Sequence, residues 1–217
     1  MQQRVITIAL VTGLCFSLAL FVSAMGKWRM PDNQQGYSPK QPIAYSHRLH
    51  AGDLGIDCKF CHSASESSRH AGIPSSDVCM KCHRYVTAPL DVTRQEMDLA
   101  DKEKRKPVAV ISAELKKLYD ALALDEKFQP VEGALPESIP WVRVHNLPDF
   151  VMFNHQAHVA VGVTCQTCHG PVESMERMEQ HATLSMGWCV NCHRDATREG
   201  INGKEVHAST NCTVCHH

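Results

Sequence analysis

The stretch Phe153-Asn154-His155-Gln156-Ala157-His158, followed by Cys165-Gln166-Thr167-Cys168-His169 and Cys189-Val190-Asn191-Cys192-His193, decides how this chain is read. Each C-x-x-C-H holds two thiols one helical turn apart, the spacing that reaches the two vinyl groups of one porphyrin, with a histidine directly behind them to bind the iron. His155 and His158, three residues apart, share one face of a helix and can supply ligands to two different irons. The motif recurs as Cys58/Cys61/His62, Cys79/Cys82/His83 and Cys212/Cys215/His216, so five copies take ten of the eleven cysteines and leave only Cys15. At this composition chance would supply about 0.04 such motifs, so the five copies need a chemical cause. They predict five covalently bound haem c groups, with His62, His83, His169, His193 and His216 as proximal ligands to iron.

Other cysteine chemistries fit the pattern less well. A zinc ribbon pairs two C-x-x-C units across 15–20 residues, and the 17 residues between Cys61 and Cys79 and the 20 between Cys168 and Cys189 fit that window. Zinc does not require histidine after every second cysteine, and all five motifs have it. A disulfide framework needs no repeated two-residue spacer, and a redox dithiol would not occur five times without a βαβ pattern. Cys15 reads as a small apolar residue of a buried helix. The charge is nearly balanced, 22 Lys plus Arg against 23 Asp plus Glu, so nucleic acid is not an implied partner.

The opening stretch has an earlier counterpart. Tyr45-Ser46-His47-Arg48-Leu49-His50 repeats the aromatic-x-His-x-x-His pattern, Gly55-Ile56-Asp57-Cys58 mirrors Gly162-Val163-Thr164-Cys165, and Arg84 and Arg194 each follow a second motif. Seven residues separate His50 from Cys58 where six separate His158 from Cys165. This is an internal repeat of a two-haem unit. The predicted organisation is an anchor or uncleaved signal over 1–25, a turn-rich linker over 26–44, a first dihaem module over 45–88, a helical and irregular connector over 89–144, and a second dihaem module plus the fifth haem over 145–217. Within the connector, the charged run ending at Pro107 reads as a solvated helix end stopped by proline. Ile111, Leu115, Leu118, Tyr119 and Leu122 have helical spacing and are expected to pack on the haem-bearing core. No stretch alternates with period two, so the fold class is mostly α with extensive loops, organised by the haems, whose faces supply apolar surface that the chain lacks.

Residues 5–24 carry no charge, with Arg4 before them and Lys27, Trp28 and Arg29 after. The run is long enough for a single transmembrane helix, and Trp28 lies where an interfacial aromatic would. Val22-Ser23-Ala24 also has the small-residue character of a signal cleavage site. A retained anchor is the expectation, with the haem domain outside the bacterial cytoplasmic membrane, where c-type haem is attached.

Distal ligands are harder to assign. His47, His50, His155 and His158 are the primary candidates, the first of each pair serving the nearer haem and the second a neighbour. His145 is the fifth candidate, and Met186, three residues before Cys189, is a thioether that would raise its haem's potential. Methionine also fills gaps in cores; Met175 and Met178 are weaker candidates, as are His70, His181, His207 and His217.

These residues carry a resemblance. The doubled His-x-x-His followed by C-x-x-C-H resembles the class III multihaem cytochromes, c3 and c7. The wider set, Tyr45-Ser46-His47, Ala71-Gly72-Ile73-Pro74-Ser75, Trp141, Asn154-His155 and Met186-Gly187-Trp188-Cys189, is similar to the pentahaem cytochrome c subunit of bacterial alternative complex III over nearly the whole chain. That resemblance implies a membrane-anchored, periplasm-facing electron carrier. Its implied partners are an iron–sulfur and molybdopterin-like subunit, quinol-binding membrane subunits and a monohaem cytochrome c, with a soluble cytochrome c or an oxygen reductase as acceptor. No catalytic site is expected in a chain of haem sites and one apolar helix. The alternatives are a stand-alone quinol dehydrogenase of the NapC/NrfH type and a multihaem reductase; the latter is disfavoured because no C-x-x-C-K occurs.

Overall fold

The computed structural model describes residues 2–25 and 34–216. Residues 26–33 of the predicted linker, Trp28 among them, and His217 lie outside the described residues. Helix α1 (Gln2–Met25) is long and apolar enough to cross a membrane, with a mean hydropathy of 2.5 over Gln2–Ser23; a signal sequence has the same properties.

Each motif opens or sits within a helix, and in three of the five a capping side chain marks where it starts. The helices are α2 (Cys58–Cys61), α3 (Ser76–His83), α7 (Cys165–His169), α8 (Met186–Glu199) and α9 (Cys212–Cys215), with α4 (Leu90–Lys102), α5 (Ala113–Ala121) and α6 (His155–Ala160) between them. Asp57 accepts from Lys59 N, Ser185 from Trp188 N and Asn211 from Thr213 N, so the side chains satisfy amides that the first turn leaves open. Once the turn is fixed, both cysteines of the motif face the same way. No strand forms among the described residues, only isolated bridges such as Val151 with His216.

The repeat seen in the sequence is a repeat in space. Tyr45 stacks on His50 at 4.4 Å and 24° and meets His47 edge-on at 4.9 Å and 85°. Phe153 stacks on His158 at 4.5 Å and 29° and meets His155 edge-on at 4.8 Å and 89°. The extra residue after His50 is absorbed by a π-helical turn, Arg48–Asp53, closed by Leu54 N to Leu49 O at 2.9 Å. A one-residue insertion into a helical turn produces this i to i+5 bond.

The two modules clamp each other reciprocally. Gln156 N donates to Ser68 O (3.2 Å), and Arg48 N donates to Met175 O (2.9 Å); Ser68 and Met175 occupy equivalent positions, each six residues beyond the histidine of its module's first motif. Ser46 Oγ and Arg48 Nε both donate to Glu176, each at 2.9 Å. Gly52 leaves no room for a Cβ against the Glu173 carbonyl. Each histidine-bearing turn is thus held by the segment after the other module's first motif.

The connector supplies the buried apolar cluster. Leu118 and Tyr119 of α5 pack on Met80 of α3, with Ile43, Ile111, Leu115, Leu122 and Phe128 around them. Tyr119 Oη donates to His83 O at 2.6 Å, tying the cluster to the second motif. The helix expected over 111–122 starts at Ala113, because Ser112 accepts from Leu115 N and caps it; Ile111 and Leu122 flank it and still pack. Helix α4 ends five residues before Pro107. Lys104 adopts φ 53°, Lys104 N bonds Asp101 O and Arg105 N bonds Ala100 O, a Schellman closure with lysine where glycine is usual. Arg105 then folds back onto Glu96 at 2.6 Å.

The polypeptide alone closes little. It exposes 15918 Å², against about 10,000 Å² for a compact chain of this mass. Among the described residues the buried apolar side chains are few and half are alanines, such as Ala100 and Ala196. The segment 34–42 lies against the second module: Gly36 N donates to Gln180 O (2.7 Å), Gln180 N to Tyr37 O (3.1 Å) and Ser38 Oγ to Met178 O (3.2 Å).

Candidate haem-binding site

Three pairs of imidazoles face each other at one repeated separation. The ring centres of His50 and His83 are 6.1 Å apart, those of His158 and His193 6.0 Å, and those of His155 and His169 6.3 Å. Two imidazoles on one iron need a metal–nitrogen bond of about 2 Å on each side and about 1.1 Å more to each ring centre, about 6 Å in all. In each pair one histidine belongs to a His-x-x-His turn and the other closes a C-x-x-C-H motif, so the pairs fit the prosthetic group that the motifs imply.

Hydrogen bonding orients these rings. Nδ1 of His62, His83 and His193 bonds the carbonyls of Gly72 (2.7 Å), Val86 (2.8 Å) and Ser209 (2.6 Å). Nδ1 of His50, His155 and His158 bonds the carbonyls of Ser46 (2.8 Å), Arg69 (3.0 Å) and Asn154 (2.8 Å). A carbonyl only accepts, so Nδ1 carries the hydrogen, and in the neutral ring the lone pair is at Nε2. This is how outer groups set the tautomer and basicity of a ligating histidine. His47, equivalent to His155, has its Nδ1 buried without a partner. Burial, then the nearby His62 and His50, lower its pKa to about 4, so it stays neutral and able to ligate.

The thiols show how the motifs neighbour one another. Burial foremost raises Cys58, and Cys165 beside it adds to the effect; Cys61 is raised by burial and then Cys82. Burial pushes Cys168 up to about 11, with Cys192 and Cys189 contributing, and Cys189 is raised by burial and then by Cys215. The spatial order is therefore second motif, first, third, fourth, fifth. Met152 N donates to Cys215 O at 2.8 Å, and the Phe150 ring stands 5.7 Å from His216.

The other candidates lie elsewhere. His145 is not across a 6 Å gap from a motif histidine; its Nε2 is 3.1 Å from Nδ1 of His169. Met186 is exposed at the start of α8, and Met175 is buried. The His181 ring lies over Gly170, where a Cβ would collide with it. His70 is exposed, and His207 is exposed beside Glu205 at 3.4 Å. None of the cysteines forms a disulfide, and among the described residues no three His, Cys, Asp or Glu side chains gather as a chelating cluster, the arrangement a zinc ribbon would need. Sequence reasoning missed the carbonyls of Gly72, Val86, Arg69 and Ser209, because backbone acceptors leave no residue-type signal. It also missed Gln180, fully buried, whose side chain accepts from Asn146 N at 3.2 Å.

When bound, c-type haem supplies a one-electron iron couple. This chain's part is to hold the imidazoles oriented and opposed. A mostly helical, c7-like multihaem cytochrome c is the class of protein these features define, and residues 151–217, which contain the last three motifs, match the family described as cytochrome c7 and related cytochrome c. Across 93% of this chain and 88% of the other, the sequence is 27% identical to the menaquinone reductase multihaem cytochrome c subunit of Nitratidesulfovibrio vulgaris.

Proposed function

We propose that this chain is a pentahaem c-type cytochrome that relays electrons between a membrane quinone pool and a periplasmic acceptor as one subunit of a larger complex. The observation that carries the reading is the set of opposed imidazole pairs at 6.0–6.3 Å, each joining a His-x-x-His turn to a motif histidine. A saturated iron exchanges electrons without binding substrate, so the protein's task is spacing and tuning. Haem is attached at Cys58, Cys61, Cys79, Cys82, Cys165, Cys168, Cys189, Cys192, Cys212 and Cys215. Its iron is held proximally by His62, His83, His169, His193 and His216, and distally by His47, His50, His155 and His158. Met186, three residues before Cys189, remains a thioether candidate.

The complex assigned is alternative complex III, with α1 as a retained anchor in the cytoplasmic membrane and electrons moving from quinol toward a cytochrome c or an oxygen reductase. A second reading follows from the relative's name: in a menaquinone reductase the same relay runs inward, to quinone. Intact-mass measurement of the natively matured protein tests the cofactor count, and fewer than five added haems refutes it. Isolation from native membranes in mild detergent, with identification of the accompanying chains and assay of electron flow in both directions, separates the two complexes. Quinol oxidation by the isolated chain would refute a pure relay and restore the stand-alone dehydrogenase.

A further inference from the structure

Three of the motif histidines, His62, His83 and His193, place a backbone carbonyl behind their Nδ1; His169 places an imidazole there. The His145 ring meets the His169 ring edge-on, 4.4 Å between centres and 75° between planes, with Nε2 3.1 Å from Nδ1 of His169. His169 faces His155 across 6.3 Å and must turn its Nε2 lone pair into that gap. Its Nδ1 therefore carries the hydrogen and donates it to Nε2 of His145, which keeps its own hydrogen at Nδ1.

The segment bearing His145 is built to hold this position. Val142 exchanges two bonds with the Gln41 side chain, at 2.8 and 2.9 Å. Arg143 Nε donates to His145 O at 2.9 Å, Val144 is buried, and Asn146 N donates to the enclosed Gln180 amide at 3.2 Å. These bonds hold the backbone at His145, and the contact with Nδ1 of His169 holds the ring.

The geometry points to His145 as a positioning residue that tunes the third haem from behind its proximal ligand, and not as an axial ligand to any iron. This rests on the multihaem reading above. An imidazole nitrogen is a stronger base than an amide carbonyl and draws the Nδ1 hydrogen of His169 further. The ring gains imidazolate character, donates more strongly and favours ferric iron, so the third haem has a lower potential than a carbonyl-backed site would give it.

The test uses the full-length, natively matured protein in detergent, as wild type, His145→Leu and His145→Gln. Leucine removes the acceptor; glutamine keeps an oxygen acceptor of weaker basicity and guards against a leucine variant that fails to mature. Spectroelectrochemical titration, low-spin electron paramagnetic resonance and carbon monoxide difference spectra are recorded. Expected are unchanged haem content, all haems low-spin, one midpoint potential raised in His145→Leu and raised less in His145→Gln, and one low-spin signal moved. A high-spin, carbon-monoxide-binding haem in either variant makes His145 an axial ligand and overturns the proposal, as do unchanged potentials. A wild-type protein without five haems refutes the functional reading instead, before any variant is compared.

Discussion

Gln180→Met tests the buried amide on which the geometry around His145 depends. Gln180 is 0% exposed; its Oε1 accepts from Asn146 N at 3.2 Å and its Nε2 donates to Ala182 O at 3.2 Å, with Thr183 O at 3.5 Å. Methionine fills a similar volume, so the packing change is small, and the backbone bonds of residue 180 to Gly36 and Tyr37 remain. The loss is the orphaning of the Asn146 amide and the Ala182 carbonyl, about 1–3 kcal/mol each. Relief from burying a polar amide offsets part of this, leaving about 2–4 kcal/mol. For a chain of this length that lowers Tm by about 5–15 °C, read by far-ultraviolet circular dichroism at a fixed scan rate. Amide exchange at Asn146 should accelerate in the same variant. A Tm within about 2 °C of wild type, with Asn146 still protected, would refute the reasoning.

Other perturbations probe the remaining contacts. His155→Ala should leave its haem covalently attached but five-coordinate, so one haem becomes high-spin and binds carbon monoxide; an unchanged low-spin spectrum removes His155 from the ligands. Gly52→Ala drives a methyl into the Glu173 carbonyl, where neither backbone gives easily, and should destabilise by about 1–3 kcal/mol, seen as a lower denaturation midpoint. The Arg105 side chain and then the Val108 amide hold Glu96 at about 2, below its ordinary 4.5. A depressed carboxylate stabilises fully above its unfolded value and loses that as pH falls through the folded one. The protection factor at Val108, exchange relative to its intrinsic rate, should therefore fall from pH 4.5 downward, and Glu96→Gln should abolish that dependence.

The motif helices and the duplication were legible because their signals are local: a cap, two cysteines, a histidine, an aromatic two residues before a His-x-x-His. The one-residue difference between His50–Cys58 and His158–Cys165 was visible as spacing, and its outcome, a π turn at Arg48–Asp53, follows from the extra residue having to fit inside a turn. The end of α4 was misplaced because proline at 107 is a conspicuous stop, whereas a lysine at φ 53° has no signature. The place of His145 was illegible for a different reason. No residue type announces which group a histidine will meet, and the 3.1 Å contact with Nδ1 of His169 joins residues 24 positions apart. The order of the motifs in space was equally hidden, since the link between the two modules is Cys58 beside Cys165, more than a hundred positions apart.

The mutual grip of the two modules has a consequence for biosynthesis. Ser46 and Arg48 are held by Glu176, and His155 donates through its own amide to Arg69 O at 3.1 Å. The amino-terminal half therefore cannot finish folding until residue 176 has emerged and been threaded into place. Severing the gene at the connector would yield two fragments, each lacking the partner that fixes its imidazoles. On the proposed reading, maturation enzymes would meet an open chain for as long as the later half is still being delivered, with Cys58, Cys61, Cys79 and Cys82 reachable.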